Sequence, residues 1–288
     1  MPQPYFEPVV PDGSCDYCAG RRTARKLSPQ IDAIYCISLQ EQPHRAAAAA
    51  AHFHTLGLCR EMTFYRPVRG PRSDRAIWES HRAVAQDAVA KGHKRVLVLE
   101  DDIVFTPERD KLGARVAAGL AALPKGWWCL YLGHVPIQAY FVRRNLMRVR
   151  SGCTCAYLAN EPLLAWIAAT EPASSDAPIS RWLGQSLDNA MANLPGMYAM
   201  FPMVAVQRFL GDYRVDTRVD DAGRRRSLFD IDRYRYLFIF GPGARFAEAV
   251  SVLLSPLHWL TLERARRRVS HNDSRLAAFI KPEATRSA

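Results

Sequence analysis

Lys94 to Phe105 reads KRVLVLEDDIVF. An apolar run with no polar alternation, closed on both sides by charge, is the pattern of a strand buried on both faces. Three carboxylates, Glu100, Asp101 and Asp102, follow at once, and Pro107 ends the pairing. Side chains alternate along a strand, so Glu100 and Asp102 are expected on one side and Asp101 on the other. In open α/β sheets ligands gather at the carboxyl ends of the strands, which makes this acidic end the first candidate site.

Strand and helix patterns alternate on either side of that segment. Upstream, IDAIYCISL (31–39) and MTFYRPV (62–68) read as strands, and the alanine-rich HRAAAAAAHFHTLGL (44–58) reads as a helix ending near Gly57. A helix is expected from Ser73 or Asp74 to Gly92, with Ile77, Val84, Ala85 and Ala88 on its apolar face. Downstream come a helix over 110–122, a strand at WWCLYLG (127–133), and one or two strands in MRVRSGCTCAYLAN (147–160). EPLLAWIAAT reads as a helix with Pro162 near its start, and MYAMFPMVAVQ (197–207) as the last clear strand. This order predicts an α/β domain over 30–210, with a mainly parallel mixed sheet flanked by helices. Residues 1–29 read as a poorly ordered arm, and 211–288 as a basic, partly helical extension.

With 49% hydrophobic and 23% charged residues in 288, the composition is that of a folded globular chain and excludes wholesale disorder. No apolar run reaches the roughly 20 residues of a membrane span. The opening residues lack the basic start and apolar core of a signal peptide, so a cytoplasmic location is expected. Thirty-nine Lys and Arg against 28 Asp and Glu give a net charge of +11. That excess suits an anionic membrane, phosphate-bearing substrates or nucleic acid, and it also suits plain solubility. The arginines are scattered and match no nucleic-acid-binding pattern, so no specific nucleic-acid partner is expected. Cys15 and Cys18 form one C-x-x-C without the second pair of a zinc ribbon, and the seven cysteines read as reduced thiols.

Three adjacent carboxylates repel one another unless a cation, a network of donors or bulk water relieves them. A hard ion such as Mg²⁺ or Mn²⁺ accepts one or two carboxylates and completes its shell with diphosphate oxygens. The plain alternative is a solvated acidic turn. Phosphatase chemistry of the Asp-x-Asp type is excluded, because Glu100 would stand at the nucleophile position.

With those residues in view, VLVLEDDIVF resembles the acidic motif of glycosyltransferase family 25, which includes lipopolysaccharide-modifying enzymes and collagen galactosyltransferases. IDAIYCISLQEQPHR, with Ser38 and Arg45, resembles that family's first strand. WESHRAVAQDAVAKGHKRVLVLEDD, with Ser80 and His81, resembles the helix leading into the acidic strand. GCTCAYLANEPLLAWIA, then Asp188, then FPMVAVQ with Gln207, resembles the downstream blocks. The resemblance spans 31–207. It implies a GT-A type fold, a nucleotide-sugar donor such as UDP-galactose or a relative, a saccharide acceptor, and inversion at the anomeric carbon. It further implies that the acidic motif handles metal and donor. On this footing Asp102 is the expected ligand for Mn²⁺ or Mg²⁺, and Glu100 and Asp101 are expected to hold the donor's ribose, its sugar or a second metal position. Asp188 is the candidate base, and Arg45, Ser80, His81 and Gln207 are candidate donor contacts.

Each of these side chains also has a plainer role. Arg45 also reads as a solvated helix residue, His81 as a buried structural histidine, Asp188 as a helix N-terminal or surface acid, and Ser80 as local support. Trp127 and Trp128 read as core rather than as a sugar platform. Within 246–269, apolar Phe246, Val250, Leu253, Leu254, Leu257 and Leu260 recur at helical spacing ahead of Arg264, Arg266, Arg267 and Arg268. Such a segment suits peripheral contact with an anionic membrane, near a lipid-linked acceptor, or an ordinary docking helix with a solvated basic end. Two rival functions stand beside the transferase: a non-catalytic carbohydrate- or membrane-binding protein on the same fold, and a basic nucleic-acid-binding protein.

Overall fold

A computed structural model describes residues 2–10, 27–70, 73–172, 186–207, 246, 248–250 and 253–257. In chain order its elements are β1 (Tyr5–Pro8), β2 (Ala33–Ile37), α1 (Pro43–Leu56), β3 (Met62–Arg66), α2 (Ser73–Ala90), β4 (Arg95–Glu100), β5 (Ile103–Phe105), α3 (Arg109–Ala122), β6 (Cys129–Gly133), β7 (Pro136–Arg143), β8 (Leu146–Ser151), β9 (Ala156–Asn160), α4 (Glu161–Ala169), α5 (Leu187–Ala192), β10 (Met197–Met200) and β11 (Ala205–Gln207).

The two-residue period of the central strands builds three layers. Ile34 and Cys36 of β2 and Leu97 and Leu99 of β4 turn to one face, where they meet Phe53 of α1 and Leu112 and Val116 of α3. Tyr35, Val96 and Val98 turn to the other face, against Val84 and Ala88 of α2, Leu163 and Ile167 of α4, and Met191 of α5. Burial on both sides is the reason the 96–99 run carries no polar alternation. The main sheet is mixed, in the order β1-β3-β2-β4-β9-β6-β10-β8-β7, while β11 and β5 pair as a separate ribbon. Pairing is parallel along β3–β2–β4 and between β6 and β10. The other neighbours are antiparallel. The fold class is therefore α/β, a large mixed sheet flanked by helices on both faces, as the sequence predicts, with parallel pairing concentrated at β3–β2–β4 and antiparallel neighbours more numerous elsewhere. Helix α1 stops at Gly57, whose φ of 62° is left-handed and whose N–H closes onto the His54 carbonyl.

Local departures from the sequence reading have physical causes. The 94–105 segment is two strands, because Asp101 and Asp102 form a turn and β5 leaves to pair with β11. Glu100 still donates its N–H to the Cys155 carbonyl, and the next two carboxylates leave the ladder to meet donors elsewhere. The 197–207 segment also divides, since Pro202 has no N–H to give a central ladder. Strand β7 escapes the sequence reading because an edge strand that exposes Ile137, Phe141 and Val142 lacks clean alternation. Within the stretch expected to be an arm, Tyr5–Pro8 adds a strand along β3, and the Phe6 ring lies 4.8 Å from that of Tyr65. Cys15, Cys18 and the basic run after them lie outside the described residues.

Near the C-terminus the described residues 246, 248–250, 253 and 255–257 are helical. Glu248 is buried there, accepting the Met203 N–H at 2.9 Å and lying 3.7 Å from His134 Nε2. Leu260 and the Arg264–Arg268 cluster lie outside the described residues. No helix among the described residues is long and apolar enough to cross a membrane. Trp127 and Trp128 are both buried in the core, as expected.

Candidate active site

The parallel strands β2, β3 and β4 end at the same edge of the sheet, and each delivers a polar side chain there. Ser38, just past β2, donates its hydroxyl to Asp101 Oδ2 at 2.7 Å. Arg66, the last residue of β3, donates from Nη1 to that same Ser38 oxygen at 2.8 Å, and its Nε lies 3.4 Å from Glu7 Oε1 of β1. Arg45, in the first turn of α1, reaches back to the acidic turn. Its Nη2 donates to Asp101 Oδ1 and lies 3.4 Å from Asp102 Oδ2. Arg45 is thus a buried ion-pair residue and not a solvated helix position.

Charge is not balanced around the acids. Asp101 has two protein donors, while Asp102 is fully buried and shares Arg45 with it. Glu100 keeps 26% of its side chain exposed, so it is the carboxylate of the three that meets solvent. Gln207 supplies the remaining donor, its Nε2 lying 3.2 Å from Glu100 Oε2 and 3.5 Å from each oxygen of Asp102. Burial, and after it the charge of Asp101, pushes Glu100 up to about 7. Burial, and after it the charge of Glu100, pushes Asp102 up to about 8. Among the described residues the pair is short of about one positive charge, which a proton or a cation would supply.

His81 closes the other side of Glu100. Its Nδ1 is 2.9 Å from the Tyr157 hydroxyl, its Nε2 is 3.9 Å from Glu100 Oε1, and its ring stacks on Tyr157 at 5.6 Å. Burial lowers the imidazole pKa to about 4, with the Asp188 charge opposing, so the ring is neutral near pH 7. Burial also pushes the Tyr157 phenol well up, so it stays protonated. In the tautomer whose Nδ1 accepts from that hydroxyl, the ring proton sits on Nε2, facing Glu100.

Asp188 sits in the first turn of α5, which Ser186 caps by accepting the Asn189 N–H. The hydroxyl of buried Thr154 donates to Asp188 Oδ1 at 2.7 Å and so fixes the carboxylate. Cys153, one residue earlier, places its Sγ 3.7 Å from Gln207 Oε1. Gln207 is therefore held at both ends of its amide.

Arg45, Glu100, Asp101, Asp102 and Gln207 thus form one contact cluster, with His81 against Glu100 and the Asp188 charge felt at His81. Ser80 stands apart, its hydroxyl donating to the Ala76 carbonyl of its own helix at 2.7 Å. Sequence reasoning passed over Arg66, Thr154 and Tyr157. The available signal was polarity in the wrong place: Arg66 closes a buried strand and Thr154 sits between two buried cysteines. Gly133 makes the approach of β11 possible, because a Cβ there would stand 2.7 Å from the Ala205 carbonyl oxygen. Among the described residues, no group of three or more His, Cys, Asp or Glu side chains is arranged to hold a metal ion.

No protein-family model matches the chain, and neither does any curated protein. Among solved structures, the chain is similar to a glycosyltransferase involved in glycosylation of the major capsid of PBCV-1. That match has 12% identity and a TM-score of 0.34, and covers 53% of this chain and 71% of that one. It is also similar to A197 from STIV, at 13% identity and a TM-score of 0.35, over 61% of this chain and 85% of that one.

Proposed function

We propose that the protein is a glycosyltransferase that moves a sugar, galactose or another hexose, from a nucleotide-sugar donor to a saccharide acceptor with inversion. What supports this reading is one convergence. Arg45, His81, Glu100 to Asp102, Asp188 and Gln207 come from separate stretches of chain and gather at the carboxyl edge of the sheet, where α/β folds bind ligands. These are residues on which the resemblance to glycosyltransferase family 25 rests.

In this reading Glu100 and Asp102 would hold Mg²⁺ or Mn²⁺. Their two carboxylates are hard oxygen donors for such an ion, and Glu100 is the partly exposed one. When bound, the ion would offset charge on the donor's diphosphate. Asp101, engaged by Ser38 and Arg45, fixes the turn instead of touching the donor. Neutral His81 holds its Nε2–H towards Glu100 and keeps that carboxylate oriented. In the transfer, the acceptor oxygen bonds to the anomeric carbon as the bond from that carbon to the diphosphate oxygen breaks. The electron pair leaves with the nucleoside diphosphate, and Asp188, steadied by Thr154, takes the acceptor's proton.

A thermal-shift screen of nucleotide sugars with and without Mn²⁺ tests this, since a ligand that binds the native state raises the melting temperature. A UDP-sugar is expected to stabilise the protein in the presence of Mn²⁺, and Asp102→Asn is expected to remove the Mn²⁺-dependent part. If no nucleotide sugar shifts the protein while random DNA binds it in a salt-sensitive way, the nucleic-acid reading replaces this one.

A further inference from the structure

Between β8 and β9 the chain turns through Ser151, Cys153, Thr154 and Cys155, and that turn reaches three members of the candidate site. Ser151 ties it off: its buried hydroxyl accepts the Cys153 N–H and donates to the Cys153 carbonyl, each at 3.2 Å. From there the Thr154 hydroxyl holds Asp188, and the Cys155 carbonyl takes the Glu100 N–H at 2.9 Å. The Cys153 thiol donates to Gln207 Oε1 at 3.7 Å. The first two contacts fix a carboxylate and a backbone. The third bears on which way an amide points.

A side-chain amide is nearly symmetric in shape and opposite in chemistry at its two ends. With Nε2 towards the acids, Gln207 brings a donor within 3.2 Å of Glu100 and 3.5 Å of each Asp102 oxygen. Turned over, it would set its own lone pairs against those three oxygens. The same choice is made again at the far end, where an S–H matches Oε1 and would face a second donor if the amide were reversed. The hydrogen bond with Cys155, and after it burial, push the Cys153 thiol well up, so it keeps the proton it gives.

We propose that Cys153 is a positioning residue, whose thiol fixes the Gln207 amide with Nε2 towards Glu100 and Asp102. The orientation stands on these contacts alone. Its use, which is to hold two metal-binding carboxylates in place from the side away from the ion, rests on the transferase reading.

NMR of the full chain with isotope-labelled glutamine side chains tests this, the Gln207 signals being those lost in Gln207→Leu. Cys153→Ala is expected to move both amide protons and to let them exchange with solvent about fivefold faster. Cys153→Val, which also lacks a donor but fills the space, is expected to do the same and serves should Cys153→Ala unfold. Cys129→Ala removes an equally buried thiol from the other face of the sheet, so it should leave the Gln207 signals in place. Gln207 signals that survive both Cys153 variants unchanged overturn the proposal, as does an equal change in Cys129→Ala, which would mark general loosening. A Mn²⁺ titration of the same proteins carries the result to the site. Cys153→Ala should weaken Mn²⁺ binding in the wild-type background and have no further effect beside Gln207→Leu, and equal effects in both backgrounds would count against the proposal. Wild-type protein that binds no Mn²⁺ would sink the metal-loaded transferase site, and the amide signals would still decide the role of Cys153.

Discussion

The amide nitrogen of Gln207 lies 3.2 Å from Glu100 Oε2, at the point where that carboxylate faces Asp102. A neutral donor stands where two acids call for a positive charge. It satisfies their lone pairs without cancelling their charge, so the pair stays sensitive to protons and to cations.

The first prediction concerns pH. Glu100 and Asp102 sit at about 7 and about 8, well above their ordinary 4.5 and 3.8, so in this range the native state holds protons that the unfolded chain has released. Unfolding free energy therefore falls as pH rises through it. His81 and His134, both lowered to about 4 by burial, act oppositely, but only below their ordinary 6.5. Between pH 6.5 and about 8 the acids dominate among the described residues, and without divalent ions the stability should drop by on the order of 1–3 kcal/mol. Asp102→Asn should flatten the slope. A wild-type melting temperature that is level over this interval would contradict the charge deficit.

Asp188 and Thr154 should separate in kinetics. Asp188→Asn is expected to lower turnover by about 10²–10⁴ with donor affinity retained, as for loss of a general base. Thr154→Val leaves the carboxylate in place without its hydroxyl donor and should lower turnover by a smaller factor. Steady-state assays with varied acceptor decide the matter, and equal turnover for wild type and Asp188→Asn removes Asp188 from the chemistry.

Arg45→Met should destabilise the protein by about 3–5 kcal/mol, because it strands a buried carboxylate pair. A solvated helix residue would cost no more than about 0.5 kcal/mol. Urea denaturation distinguishes the two, and Arg45→Lys should fall between them because it keeps the charge and loses the fork.

Gly133→Ala should act at a distance. The added Cβ meets the Ala205 carbonyl oxygen at 2.7 Å, so β11 must move and Gln207 with it. The expected result is weaker Mn²⁺-dependent donor binding in a protein that still folds. Donor binding like that of wild type would show that β11 yields without carrying Gln207 away.

How much of this was legible in the sequence depends on whether a signal is local. The 96–99 run, the Gly57 stop and the acidic triplet are local patterns, and the strands, helices and site edge follow from them. The break of 94–105 at Asp101 is not local, since the donors that pull it out of the ladder come from residues 38 and 45. Gln207 and Asp188 were reachable through resemblance alone, because nothing beside them in the chain announces a partner. Arg66 and Tyr157 act through Ser38 and His81, and support of that kind leaves no periodic trace.

Strand β1 has a consequence for handling the molecule. It covers the outer backbone of β3 with four residues, and its last, Pro8, has no N–H to offer a further strand. Trimming the chain to begin at β2 would leave the donors and acceptors of β3 facing water in a row, next to Phe64 and Tyr65. Such a truncated protein would keep its acidic turn and lose its guard against stacking edge to edge, so its failure would be seen as turbidity at high concentration before it was seen as inactivity.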